Sequence, residues 1–198
     1  MDETAAAACI DLYWIPLGAG GNGYVRLNGR LYETVKARFE GRRPLALYHT
    51  ALVVEVPDGR FVIECAWPSP DDDVAGRGVV LEGPVWGRRL ARIRPFRYEV
   101  RRWRDGIIPD LAHAVGGPQA VGRDPGQAER LLELVPAVPA LVWGRDERGT
   151  GEMWNSNSVI SWLLASAGAP VRGLHPPEGG RAPGWQAGVA VAAAGHQG

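Results

Sequence analysis

The feature that most constrains the fold of this chain is a pair of apolar segments joined by a turn. Residues 45–56 (LALYHTALVVEV) and 60–66 (RFVIECA) are rich in β-branched and aromatic residues. They flank Pro57-Asp58-Gly59, and two such runs on either side of a turn of this kind are typical of a β-hairpin. The sequence therefore predicts two antiparallel strands, with a tight turn centred on Asp58-Gly59.

Other segments predict further strands and helices around this hairpin. The run at 9–17 (CIDLYWIPL) is typical of a buried strand, and the alternation along 96–101 indicates a half-exposed strand. Apolar positions at helical spacing, preceded by residues that favour helix starts, predict helices over 31–39, 125–134 and 159–167. This mixture predicts an α+β fold, in which helices pack on an antiparallel sheet.

Two of these segments also predict which side chains are buried. One helix presents Leu31, Val35 and Phe39 along a single face, which we expect to pack on the core. The alternating strand points Glu99 and Arg101 away from its apolar side chains, and we expect that charged face to be solvated and ion-paired.

The length of the chain and its C-terminal composition predict the domain organisation. A chain of 198 residues suits one domain of ordinary size. From residue 168 onward Gly, Pro and Ala dominate. We therefore expect a single domain over 1–167 and a tail over 168–198, which docks partly through Trp185 because a lone exposed tryptophan is unfavourable.

The overall composition argues against several classes of protein. Lys+Arg and Asp+Glu both number 22, so bulk charge does not favour binding of nucleic acid or of an anionic membrane. No apolar run reaches 18 residues, and the N-terminal Met1-Asp2-Glu3-Thr4 is acidic where a signal peptide would be basic. Two cysteines match no metal spacing and are too few for a disulfide framework. We expect a cytoplasmic protein without a metal.

A glycine-rich segment after the first predicted strand matches the dinucleotide-binding fingerprint. Its pattern is Gly18-x-Gly20-x-x-Gly23, which binds a pyrophosphate only where the third glycine opens a helix. The following residues 24–27 (YVRL) look extended, and Gly29 would interrupt a helix. We therefore predict a loop that binds no dinucleotide, at most one that shapes a cleft, and we expect no cofactor.

A basic segment offers a second candidate for binding. Aromatic residues are interleaved with eight arginines: Arg88, Arg89, Arg92, Arg94, Arg97, Arg101, Arg102 and Arg104. Arginine together with aromatic residues is what a site for phosphate or single-stranded nucleic acid would use. Because acidic residues share the segment, an ion-paired strand face is the favoured interpretation and an anion or nucleic-acid site the alternative.

The sharpest candidate for chemistry is a histidine in the hairpin. His49 lies in the first strand, and the return strand carries Glu64 in an otherwise apolar run. With the turn centred on Asp58-Gly59, Glu64 lies opposite Val53, on the same face as His49 but roughly 13 Å away. A register shift of two residues would bring the pair within diagonal reach. A structural histidine, with Glu64 paired to an arginine, is the alternative interpretation.

The segment Asn155-Ser156-Asn157-Ser158 precedes the most apolar helical run of the chain. A hydroxyl group at a helix N-terminus lies where backbone N–H groups and the helix dipole favour a developing negative charge. Ser156, His49 and Glu64 would then serve as nucleophile, base and orienting carboxylate. Helix capping alone would produce the same tetrapeptide, so spacing leaves both interpretations open.

Together these motifs resemble the circularly permuted papain-fold hydrolases, which include NlpC-like peptidases, lecithin-retinol-acyltransferase-like enzymes and PPPDE-type isopeptidases. In that group a histidine strand precedes a buried helix that opens with an Asn-Cys motif, and the resemblance covers 47–66 and 153–164. It implies a papain-like architecture with His49 as the base and Glu64 as the third, orienting residue.

The same resemblance assigns the opening of the helix. It puts Ser156 in the nucleophile position, with Asn155 and Asn157 shaping the site and backbone N–H groups around Ser156 and Asn157 stabilising the oxyanion. The implied substrate is a small molecule or a peptide that carries an acyl or amide group.

The sequence departs from the family at the nucleophile, because serine stands where the family has cysteine. Neither Cys9 nor Cys65 takes its place. A thiolate forms readily beside an imidazolium, whereas a serine hydroxyl must lose its proton as it attacks. Three interpretations remain: a working serine nucleophile, an inactive domain that keeps its cleft for binding, and a likeness that arises only from capping and hairpin signals.

Overall fold

The computed structural model describes residues 8–19, 33–68 and 76–195, and it has an α+β fold. The strands are β1 (Cys9–Pro16), β2 (Ala46–Val56), β3 (Gly59–Ala66), β4 (Val79–Pro84), β5 (Arg97–Arg104), β6 (Gln119–Gly122) and β7 (Gly180–Arg181). The helices are α1 (33–39), α2 (Pro125–Leu134), α3 (Ser156–Ser166) and α4 (Trp185–Gly195). The predicted class, helices packed on an antiparallel sheet, is confirmed.

The strands form one sheet with the order β4-β5-β3-β2-β1-β6. Neighbours in this order are antiparallel, and the short β7 pairs parallel with the start of β2. Because alternate residues of a strand point to opposite faces, the central β2 contributes side chains to both sides of the sheet. The two faces differ sharply in what covers them.

The main core lies between one face of the sheet and the helices. Leu52 of β2 and Ile63 of β3 are register partners, and both pack with Ile160 and Leu164 of α3. All four side chains are fully buried. Burial of a large aliphatic side chain contributes about 1.5–3 kcal/mol, so this face supplies most of the hydrophobic stabilisation. It also fixes α3 firmly against the middle of the sheet.

The C-terminal segment belongs to the same core. Trp185 is buried and stacks on Trp14 of β1, with ring centroids 5.1 Å apart. Helix α4 packs closely on α3, and a Cβ at Gly188 would lie 2.1 Å from the Ser158 carbonyl oxygen, so only glycine permits this approach. Packing is therefore continuous across the expected boundary between residues 167 and 168. Within the described residues, no helix is long and apolar enough to cross a membrane.

The hairpin between β2 and β3 has a different register from the one that the sequence predicts. Val56 pairs with Gly59 and Val53 pairs with Val62, so the turn is centred on Pro57-Asp58 rather than on Asp58-Gly59. Proline is suited to the first central position of a tight turn because its φ is fixed there. The consequence is a shift of two residues that moves every residue of β3 along β2.

Helix α1 presents a different face to the protein from the one predicted. Val35 and Phe39 are exposed, with 47% and 88% of their surface accessible, whereas Ala37 and Glu33 are buried. The Glu33 carboxylate accepts hydrogen bonds from Arg42 and from the backbone N–H of Leu45. These polar contacts turn the Glu33 face inward, so the prediction for Val35 and Phe39 was wrong; Leu31 lies outside the described residues.

The second face of the sheet carries a small apolar cluster. Its buried members are Ile15, Ala51, Val53, Val62 and Ile108. The turn after β5 returns over this face and contributes Ile108, with Leu111 and Ala114 packed at the edge of the cluster. Most of the titratable residues discussed below lie beside this cluster.

Candidate active site

His49 lies on the second face of the sheet and is hydrogen-bonded to a carboxylate. Its Nε2 atom is 3.0 Å from Oδ2 of Asp110, and both side chains are about one-fifth exposed. Strand parity sets the face, since His49, Ala51 and Val53 are alternate residues of β2. Asp110 lies in the turn that Ile108 anchors to the same cluster. The fold therefore holds both partners of this hydrogen bond, His49 through β2 and Asp110 through the turn that packs on the cluster.

The electrostatics of this pair define which imidazole nitrogen is basic. Partial burial works against ionisation of Asp110, but the hydrogen bond and charge of His49 together hold the pKa of that carboxyl below its ordinary value. The ionised carboxylate only accepts hydrogen bonds, so Nε2 of His49 carries the hydrogen that it donates. The other nitrogen, Nδ1, then keeps its lone pair in the neutral imidazole and is available to accept a proton.

Glu64 lies on the same face as His49, as strand parity predicts, but it binds a different partner. Its Oε1 atom is 2.8 Å from Nη1 of Arg101, its register partner on β5. Burial raises the pKa of Glu64, Arg101 opposes the rise, and the charges of Asp110 and His49 also act on it. The prediction that Glu64 orients His49 is thus corrected: Asp110 holds the imidazole and Arg101 holds Glu64.

Arg101 and Glu99 form a buried ionic cluster with Glu64. The guanidinium of Arg101 donates from Nε and Nη2 to Oε2 of Glu99 at 3.0 and 2.7 Å, and Nη2 also donates to the Trp67 carbonyl oxygen. Glu99 is fully buried and Arg101 is 7% exposed. The parity predicted for this strand is right, but its charged face is buried rather than solvated. Pairing and multiple hydrogen bonds are what make such burial tolerable.

Two residues of the tetrapeptide 155–158, which opens α3, cap the helix, and the other two do not. The Asn155 side chain accepts hydrogen bonds from the N–H groups of Asn157 and Ser158, and the Ser158 hydroxyl accepts one from the N–H of Asn155. This capping box uses two of the four side chains. Within the described residues, the hydroxyl group and the backbone N–H of Ser156 have no hydrogen-bond partner. Capping therefore does not account for Ser156, which is 8% exposed.

The side chain of Asn157 ties α3 to the histidine strand. Its amide group donates to the Tyr48 and Pro183 carbonyl oxygens at 3.0 and 2.9 Å, and its oxygen accepts from the Thr50 hydroxyl at 3.0 Å. Tyr48 and Thr50 are the two neighbours of His49 in β2. The residue after Ser156 is thus bonded to β2 on both sides of His49. The expected role of the Asn157 N–H in an oxyanion site is corrected, because Asn155 already occupies it.

The helix reaches this position through an opening along one edge of β2. The Leu47 carbonyl oxygen accepts a hydrogen bond from the backbone N–H of Leu17, which directly follows β1. Because successive carbonyl groups of a strand point to opposite sides, the Tyr48 carbonyl points away from β1. On that side the pairing with β3 ends at Leu52 and Ile63. The N-terminus of α3 therefore meets β2 edge-on, between β3 and β7.

Sequence reasoning missed Asp110 altogether. The segment around it has neither a helical nor an alternating pattern, and its only signal is the apolar run Ile107-Ile108-Pro109 just before the carboxylate. Ile108 is buried against the second face, so an apolar run in a loop was the available sign that this loop returns to the sheet. Sequence reasoning also did not predict that Thr50 and Arg101 bind residues of the candidate site.

The two binding segments singled out in the sequence have different outcomes. Most of the motif Gly18-x-Gly20-x-x-Gly23 lies outside the described residues, which stop at residue 19 and resume at 33. In the basic segment, Arg88 pairs with Glu147, Arg97 with Glu82 and Arg104 with Asp58. With Arg101 in the buried cluster and Arg102 donating to the Leu132 carbonyl oxygen, most of these cations have protein partners. Within the described ranges, no group of three or more His, Cys, Asp or Glu side chains is arranged to hold a metal.

The two cysteines are predicted to be inert in the folded protein. Burial, with the nearby charges of Asp11 and Glu55, raises the pKa of Cys9 to about 11, and burial raises the pKa of Cys65 well above its usual value. Since only the thiolate reacts, we expect no alkylation by iodoacetamide at pH 7.5 over an hour and full alkylation of both in denaturant. Mass spectrometry of the intact protein measures both, and rapid modification of the native protein would contradict the burial.

Comparison of the chain with family models, curated proteins and solved structures gave no match.

Proposed function

We propose that this protein is a hydrolase or acyltransferase with a permuted papain-like fold, in which Ser156 attacks the carbonyl carbon of an acyl or amide group. His49 takes the proton of the attacking hydroxyl, and Asp110 orients His49. The observation that carries this proposal is the His49–Asp110 hydrogen bond, together with a helix N-terminus that Asn157 bonds to the residues on both sides of the histidine. The proposal assigns one role to each of the three residues.

In the proposed first step the Ser156 oxygen forms a bond to the carbonyl carbon while its proton passes to Nδ1 of His49. The carbonyl oxygen becomes negatively charged, and the N–H of Ser156 and the positive end of the α3 dipole stabilise that charge. Collapse of the intermediate breaks the bond to the leaving alcohol or amine, which takes the proton from His49. Water or an acceptor alcohol then releases the acyl group from Ser156 by the reverse sequence.

The carboxylate behind His49 favours a working serine over an inactive remnant. A serine hydroxyl has to be deprotonated during attack, so it depends on a base whose imidazolium form is stabilised by a nearby carboxylate. Asp110 supplies that charge at hydrogen-bond distance. A site that kept only a cleft for binding has no need of an ionised carboxylate in this position. The inactive binding module remains the alternative that experiment has to exclude.

Labelling with a fluorophosphonate probe tests the proposal directly. We expect the wild-type protein to acquire one probe molecule, on Ser156, and the Ser156→Ala variant to acquire none. Ser166→Ala is the matched control, because it removes a hydroxyl from the far end of the same helix and should leave labelling intact. Mass spectrometry of the intact protein and of its peptides identifies the labelled residue.

A folded wild-type protein that takes up no probe, or takes it up equally after Ser156→Ala, would count against the nucleophile. Circular dichroism of each variant establishes that it is folded. The first of these outcomes favours the inactive binding module, and the second points to a different reactive residue.

A further inference from the structure

Two carboxyl groups lie on the same face of the sheet as the His49 imidazole. Asp110 holds His49, and Glu64 lies on the adjacent strand on the same side. Glu64 follows Ile63, the last residue of β3 that pairs with β2, and the charges of His49 and Asp110 act on it. The sequence leaves a Glu64–His49 pair as one of two interpretations, and the structure does not form it.

The residue that binds Glu64 is Arg101. It is the register partner of Glu64 on the far side of β3, and it bonds Oε1 of Glu64 at 2.8 Å. Its remaining donors are fixed by Glu99 and by the Trp67 carbonyl oxygen. Because the guanidinium is a rigid planar fork, it cannot follow Glu64 toward His49 without losing the fully buried Glu99.

We propose that Arg101 is a positioning residue that reserves His49 for Asp110 by holding Glu64 on the β5 side of the sheet. The consequence for reactivity rests on the proposed function, whereas the choice of partner by His49 does not depend on Ser156. Without Arg101, the Glu64 side chain can bind the imidazole whether its carboxyl group is ionised or neutral. As a carboxylate it accepts from a ring N–H, and as a neutral acid it donates to the basic nitrogen that Ser156 needs.

The test compares Arg101→Met with the double variant Arg101→Met/Glu64→Leu, whose second change removes the competing carboxyl group. Arg102→Met is the matched control: the same substitution on the same strand, at a side chain that points to the other face and donates to a backbone carbonyl. The first measurement is the NMR signal of the His49 ring N–H held by Asp110, assigned through its loss in Asp110→Ala. The second is the rate of fluorophosphonate labelling.

In Arg101→Met we expect the ring N–H signal to move or disappear and labelling to slow about tenfold or more, because the base loses its orientation. The double variant is expected to recover both the signal and at least half of the labelling rate. Arg102→Met should change neither readout, although it lowers the melting temperature. If Arg101→Met does not fold, Arg101→Lys replaces it, since a single ammonium group cannot hold both carboxylates in one plane.

An unchanged ring N–H signal in a folded Arg101 variant overturns this inference, and so does a double variant as impaired as the single one. The NMR measurement separates this inference from the proposed function. If the NMR signal follows the expected pattern in a protein that the probe does not label, the positioning role of Arg101 is supported and the role of Ser156 as nucleophile is rejected. If labelling occurs on Ser156 but the signal ignores Arg101, the proposed function stands and the positioning role fails.

Discussion

Replacing Ser156 with cysteine is expected to give a thiol that iodoacetamide alkylates on the order of a hundredfold faster at pH 6 than a free cysteine. A free thiol, with a pKa near about 8.5, is almost entirely protonated at that pH. At Ser156 the helix dipole, an unoccupied backbone N–H and the imidazolium form of His49 all favour the thiolate. The effect is measured by mass spectrometry as a rate, against a background in which Cys9 and Cys65 are buried.

Two matched variants make this experiment decisive. Ser166→Cys places a thiol at the opposite end of α3, where the dipole disfavours a negative charge, and it should react at the free-thiol rate or more slowly. Adding His49→Ala to Ser156→Cys should remove most of the acceleration. If Ser156→Cys reacts no faster than Ser166→Cys and ignores His49, capping is the only remaining explanation for the Asn-Ser-Asn-Ser segment.

Replacing Asn157 with alanine is expected to lower the free energy of unfolding by about 3 kcal/mol or more. The change leaves the Tyr48 and Pro183 carbonyl oxygens and the Thr50 hydroxyl without this partner, and an unsatisfied buried polar group costs about 1–3 kcal/mol. These three hydrogen bonds of Asn157 form a strap that holds α3 against β2, so labelling of Ser156 should be lost before the protein unfolds. Urea denaturation followed by fluorescence measures the stability.

Asn155→Ala is the comparison for this second experiment. Asn155 precedes the helix and caps it, so its removal should cost about 1 kcal/mol for the cap, with a further contribution from its bond to Pro183. The two asparagine side chains thus make three hydrogen bonds each, fully buried for Asn157 and partly buried for Asn155. A loss below 1 kcal/mol in Asn157→Ala, or one smaller than that of Asn155→Ala, would show that the strap is not what fixes the helix.

Several patterns that depend on neighbouring residues were interpreted correctly from the sequence. The helix predicted over 125–134 is found over Pro125–Leu134, and the strand predicted over 9–17 is found over Cys9–Pro16. In each case a run of apolar residues with a fixed period and a clear end sets the element. The parity of β5 was also correct, which is why Glu99 and Arg101 were assigned to the right face.

Features that depend on distant parts of the chain could not be read in the same way. The burial of Glu99 and Arg101 requires Glu64 and Trp67 from another strand, and no local pattern reports such a partner. Asp110 meets His49 only because the turn that carries it folds back over the second face. The shift of two residues at Pro57 moved Glu64 along β2, and no local pattern in the sequence required it. The place of His49 in a strand was therefore predictable from the sequence, but the carboxylate that binds it was not.

The strap between α3 and β2 can form only late in the synthesis of the chain. Its hydrogen bonds join Tyr48 to Asn157, 109 residues apart, and Asn157 to Pro183. At about 5–20 residues per second, the ribosome completes Pro183 roughly 7–27 s after His49. During that interval the open edge of β2 has no helix to cover it, and uncovered strand edges promote aggregation. A nascent chain of this protein therefore exposes that edge until α3 is made, and we expect it to need chaperones during those seconds.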